Sequence, residues 1–146
     1  LLHSISEDQG RTWSAPVSTD YPDAISKNFT GKLPDGAIYL INNPGPGRHE
    51  LAISFSQDGW AFSEPKLLLK NPPTPRFHTA PHQGYQYPHA IVRDGSLWLI
   101  AALNKEDVQI HRYDLESLGQ EVPEPGSAAL LLGAGGLAML PRRRRR

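Results

Sequence analysis

Cysteine is absent from the 146 residues, so disulfides, thiolate metal sites and thiol nucleophiles are excluded, although export is not. The chain begins Leu1-Leu2-His3-Ser4-Ile5-Ser6, without a methionine and without a charged segment leading into an apolar run. The sequence is therefore read as the C-terminal part of a longer protein whose export signal lies upstream. No long helical periodicity, Gly-rich phosphate loop, heptad seam or basic-aromatic patch is present, and nucleic acid is not an expected partner. Charge of either sign is not in excess, since fifteen Lys and Arg balance fifteen Asp and Glu. Five of those cations are Arg142 to Arg146, however; without them ten face fifteen, and the rest of the chain carries a net charge near −5.

From Val122 the chain reads Val-Pro-Glu-Pro-Gly-Ser, then an apolar stretch from Ala128 to Leu140, then Pro141 and the arginines. As a helix, residues 126 to 140 would span about 22 Å, short of a hydrocarbon core of about 30 Å. The arginines would stay on the cytoplasmic side and hold the Pro-Glu-Pro outside. A surface helix would need a polar face, which residues 128 to 140 lack. The three elements in this order resemble the PEP-CTERM sorting signal, with Pro123, Glu124 and Pro125 as its motif. The resemblance implies a Gram-negative source, an exosortase as processing partner, membrane contact through the C-terminal helix before processing, and a mature protein at the cell surface or outside the cell. Residues 119–146 are accordingly expected to be a sorting tail and residues 1–118 the folded body.

The body is rich in Gly, Pro, Asn and Asp between short alternating apolar runs, which predicts an all-β fold. Strands are expected at Ala37 to Ile41, Leu51 to Phe55, Lys66 to Leu69, Ala90 to Val92, Leu97 to Ala101 and Val108 to Tyr113. Two stretches repeat 59 residues apart: Leu33-Pro-Asp-Gly-Ala-Ile-Tyr-Leu-Ile and Val92-Arg-Asp-Gly-Ser-Leu-Trp-Leu-Ile. Each reads as a hairpin turn at Asp-Gly followed by a buried strand. A second pair stands 50 residues apart: Ser6, Asp8, Gly10, Thr12 and Trp13 in the first copy, and Ser56, Asp58, Gly59 and Phe62 in a shorter second copy. Periods of this length, with about four strands each, are the mark of propeller blades.

The first of that pair is similar to the Asp box of the sialidase and BNR-repeat families. The resemblance implies a structural role, in which the Asp ties a turn between the third and fourth strands of a blade, the Gly permits positive φ and the aromatic packs between strands. The expected fold is a partial six- or seven-bladed β-propeller of about two and a half blades: the end of one (1 to about 18), a complete one (about 24 to 70) and three strands of another (about 87 to 114). A short C-terminal apolar helix would follow.

Sialidases hold a substrate carboxylate with three arginines and attack with a Tyr activated by a Glu. Resemblance carries the third arginine onto Arg48 and the nucleophile onto Tyr87, as the residue opening the first strand of the last blade. The places of the activating Glu and the second arginine fall on Lys27 and Asn43, so the resemblance implies a glycan-facing pocket more firmly than sialic acid hydrolysis itself. His89, beside Tyr87, is a candidate general base; His78 and His82 flank Pro81, which forbids the helix that would align them on one face. No metal or other cofactor is expected. Two functions stay open: a sialidase-like glycosidase acting on an anionic sugar, and a non-catalytic propeller that binds surface polysaccharide or protein.

Overall fold

The structure, a computed structural model, describes residues 1–77 and 83–120. The Pro-Glu-Pro motif, the expected apolar helix, His78 and His82 lie outside the described residues. Among those described, regular structure is β throughout except for a 3-10 turn at Glu116–Leu118, and no helix is long and apolar enough to cross a membrane.

Three antiparallel sheets follow one another along the chain. The first pairs β1 (Leu2–His3) with β2 (Val17–Ser18). The second is a meander of β3 (Phe29–Lys32), β4 (Ile38–Asn42), β5 (Glu50–Ser56) and β6 (Lys66–Lys70). The third runs β7 (Tyr85–Arg93), β8 (Ser96–Leu103) and β9 (Asp107–Asp114). All six expected strands are present, most of them longer than expected. Three were not foreseen: β1 and β2 are too short to show alternation, and β3 reads Phe-Thr-Gly-Lys, with a single large apolar residue.

The two Asp-Gly turns differ. Asp94 and Gly95 both take positive φ, 50° and 70°, and Arg93 pairs directly with Ser96, as in the two-residue hairpin that Asp-Gly favours. In the earlier copy Pro34 stands where Arg93 does, and without an N–H it cannot complete that pair. The loop widens instead: Leu33 N–H donates to the Ala37 carbonyl at 2.8 Å, Gly36 N–H to the Leu33 carbonyl at 3.0 Å, and only Gly36 is left-handed, at φ 94°.

The second and third sheets pack face to face. Tyr39, Ile41, Leu51, Ile53 and Phe55 meet Tyr85, Ala90, Leu97, Leu99, Ala101 and Leu103, and Leu115 and Leu118 close the core past the end of β9. Each large aliphatic side chain so buried contributes on the order of 1.5 to 3 kcal/mol. The opposite face of the second sheet is covered too. There Leu40, Asn42, Ala52 and Ser54 are buried; the Tyr21 hydroxyl donates to Ser54 Oγ at 2.8 Å, and Asn42 Nδ2 donates to the Pro22 carbonyl at 2.8 Å. The second sheet is thus a middle layer, whereas the third leaves Ile91, Trp98, Ile100, Val108 and Ile110 exposed on its far face.

Candidate functional site

The two Asp boxes fold alike, and their chemistry is spent on their own turns. In the first, Asp8 Oδ1 accepts the N–H groups of Arg11 (3.0 Å) and Thr12 (2.9 Å) and the Ser6 hydroxyl (2.9 Å), Asp8 Oδ2 accepts the Thr12 hydroxyl (2.7 Å), and Gly10 N–H donates to Ser6 Oγ. In the second, Asp58 Oδ1 accepts the N–H groups of Trp60 (2.8 Å) and Ala61 (3.0 Å) and the Ser56 hydroxyl (3.0 Å), while Gly59 N–H donates to Ser56 Oγ. These donors, first the N–H of Thr12, bring the Asp8 carboxyl down to about 2, and the corresponding donors, first the N–H of Trp60, lower that of Asp58.

Each box also ends in a serine that the sequence reading passed over. Ser14 N–H donates to the Ile5 carbonyl and its hydroxyl accepts Ile5 N–H; Ser63 does the same with Phe55. One expectation is corrected: Trp13 does not pack between strands but is largely exposed, its indole N–H donating to the Gly10 carbonyl, because the sheet beside it has only two strands among the described residues.

The other predicted residues gather at the opposite end of the second sheet. Ser56, which opens the second box, and Glu50 are the two ends of β5, about 20 Å apart for seven extended residues. Asn43 sits at the Glu50 end, wholly buried, and ties three segments together. Its Nδ2 donates to the carbonyls of Glu50 (2.6 Å) and Tyr85 (3.1 Å), its Oδ1 accepts the Ser26 hydroxyl (2.7 Å), and its carbonyl accepts Ala24 N–H (2.9 Å). Lys27, exposed, follows directly on Ser26.

Arg48 is joined to the start of the third sheet twice. Its carbonyl accepts Tyr85 N–H at 2.7 Å, and its Nη1 donates to Gln86 Oε1 at 3.2 Å. Gly84 makes the first contact possible. At φ 111° it lies so close to the Arg48 carbonyl that a Cβ there would collide with it, and its N–H is held by Asn104 Oδ1 at 2.8 Å.

The strand therefore opens at Tyr85, not at Tyr87 as the sequence suggested. Tyr85 is buried, with its hydroxyl donating to the Lys70 carbonyl at 3.2 Å. Tyr87 sits in a β-bulge between Gln86 and His89, at φ 53°, with about half its side chain exposed. Left-handed backbone at a bulky residue is a genuine outlier, on the order of 1 to 3 kcal/mol of strain. His89 lies further along β7, exposed, with its ring 4.3 Å from that of Phe29. The structure thus brings Asn43, Arg48 and residues 85–87 together, with Lys27 next to that hub and His89 along the strand. Gln86 and Gly84 were missed, although a glycine just ahead of an aromatic-rich strand is a legible sign of close backbone approach.

Around this end the loops are tied down and leave a cleft. Glu106 accepts the N–H groups of Arg76 (2.9 Å) and Phe77 (2.6 Å), and Arg76 pairs with Asp107 at 2.7 Å. A cleft of about 510 Å³ lies beside the β4–β5 loop, lined by Gly45, Pro46, Gly47, His49, Glu50 and Asn71. Among the described residues no three His, Asp or Glu side chains cluster as metal ligands. In comparison with known proteins, the family described as a BNR repeat-like domain matches residues 1–100. No curated protein and no solved structure matches the chain.

Proposed function

The chain belongs to the BNR repeat-like domain family, and on that premise we propose that it is part of a six- or seven-bladed sialidase-like propeller acting on or binding an anionic glycan. The observation that carries this reading is Tyr87, a strained and half-exposed aromatic at the same sheet end as Arg48. Strain of this kind persists where the surroundings over-determine it, and it clusters at ligand sites. Arg48 would pair with a sugar carboxylate, with Gln86 fixing its guanidinium, and Asn43 would hold the loops around them rather than touch the ligand.

As a glycosidase, Tyr87 would attack the anomeric carbon as the bond to the leaving sugar breaks, and the phenolic proton would pass by way of His89 or solvent to the departing oxygen. A neutral Tyr is suited to this because an ionised nucleophile would be repelled by an anionic sugar. Lys27 favours the second reading, a glycan-binding propeller: its ammonium cannot take the phenolic proton but adds a cation for the same ligand. Export, with exosortase processing at Pro123-Glu124-Pro125, belongs to the same proposal and rests on the sequence; a secreted form retaining Arg146 would sink it.

The test compares variants in glycan binding and turnover. Arg48→Ala should cost on the order of 2 to 4 kcal/mol of binding or transition-state stabilisation. Tyr87→Phe should abolish turnover if the phenol is the nucleophile and barely change affinity if the ring only stacks. With Lys27 in place, the smaller effect is expected. Undiminished affinity for anionic glycans in Arg48→Ala would remove both readings.

A further inference from the structure

The second Asp box carries an aromatic that its turn does not need. Trp60 takes the place of Arg11 in the first box: in each, the backbone N–H donates to the box carboxylate and the side chain is free of that duty. A tryptophan buries more apolar area than any other side chain, yet Trp60 is 62% exposed, with the His3 ring packed against it in a T-shaped pair at 4.5 Å. In front of it lies a cavity of about 370 Å³, between the first and second sheets, bounded also by Phe62, Tyr21, Thr19 and Asp20. This lies within the size range of small-ligand sites.

The polar groups around this cavity are unequally occupied. The Tyr21 hydroxyl donates to Ser54 Oγ, and the Thr19 hydroxyl donates to the Leu1 carbonyl at 3.0 Å. The exposed carboxylate of Asp20 is the group placed to accept hydrogen bonds from a ligand. An indole face beside a hydrogen-bond acceptor matches a pyranose ring, whose C–H face stacks on aromatics while its hydroxyls donate. A carboxylate at the rim disfavours an anionic sugar. We propose that Trp60, His3 and Asp20 form a second saccharide site, selective for a neutral pyranose, on the end of the sheet opposite Arg48 and Tyr87. It does not depend on the reading of that other end.

The test uses Trp13→Phe/Trp98→Phe, which leaves Trp60 as the sole tryptophan of the three in the chain, so that fluorescence at micromolar protein reports this site alone. Methyl β-glucopyranoside and cellobiose should quench or shift the emission saturably in the millimolar range, and digalacturonic acid should act at least about ten-fold more weakly. In that protein Asp20→Asn should weaken neutral sugars about three- to ten-fold and narrow the gap to the acid. By calorimetry, Trp60→Ala in the otherwise unchanged chain should lose cellobiose binding, while Trp98→Phe, at another exposed tryptophan, should retain it. The site is refuted if neither neutral sugar gives a saturable change up to on the order of 50 mM. It is refuted equally if Trp60→Ala binds cellobiose as the unchanged chain does.

Discussion

Tyr39 and Trp98 hold the same place in two copies of one sequence pattern, three residues past the glycine of an Asp-Gly turn, as do Ile41 and Ile100 two residues later. Tyr39 and Ile41 are 2% and 0% exposed; Trp98 and Ile100 are 41% and 38% exposed. The strands are alike, and what differs is the neighbour. The face bearing Tyr39 is covered by β7, with the Tyr39 hydroxyl reaching the Ala90 carbonyl at 3.3 Å, while no described element covers the face bearing Trp98. A repeated pattern thus prepares the same apolar face in each sheet, and burial is conferred by whatever stacks against it.

The largest effect should come from the covered face. Ile41→Ala should cost about 2 to 5 kcal/mol in denaturant unfolding, enough to threaten the fold, whereas Ile100→Ala should cost no more than about 1 kcal/mol. Equal costs would mean that the two faces are equally buried in solution. The next effect concerns association: expressed alone, the chain should form soluble, folded self-associated species through the exposed face of Trp98, Ile100 and Ile110. Ile100→Lys with Ile110→Lys should shift sedimentation toward monomer. A monomeric, cooperatively melting unsubstituted chain would show that the exposed face needs no cover.

The smallest effects separate the two Asp boxes. Both carboxyls titrate below the usual 3.8 in the folded chain, so each stabilises the fold above its unfolded pKa and loses that contribution as pH falls. For Asp8 the loss should fall between about pH 4 and about pH 2. The second box lacks the hydroxyl that Thr12 supplies to the first, since Ala61 stands in its place. Ala61→Thr should therefore lower the Asp58 titration midpoint, followed by carboxyl NMR. An unchanged midpoint would show that the hydroxyl adds nothing once the N–H groups are in place.

The six strands between Ile38 and Asp114 were legible in the sequence as short apolar runs set between turn residues, whether buried on both faces, as β4 and β5 are, or alternating, as β7 and β8 do. The three short ones were not: β3 gains its place from Tyr39, which lies over Gly31 and leaves no room there for a Cβ, a cross-strand fit that no local pattern announces. The Asp boxes were legible because the whole turn is local, each carboxylate bonding within four residues of itself. The candidate site was legible only by its residue types. That Asn43 would be a buried hub, or that Gln86 would meet Arg48 from 38 residues away, depends on how two sheets dock, and adjacent sequence carries no trace of that.

Arg48 meets the third sheet through its backbone as well as its side chain, and the close approach of Gly84 fixes that backbone contact. Frame and chemistry are therefore separable at this position. Exchanging the guanidinium for another group would leave the Tyr85 N–H and the Arg48 carbonyl joined, so the start of the third sheet would stay where it is while the proposed ligand contact changed. Exchanging Gly84 for any residue with a Cβ would do the reverse, prising the two sheets apart at that end with every functional side chain still present. Under the proposed function, diversification toward a new sugar is thus open at position 48 and closed at position 84.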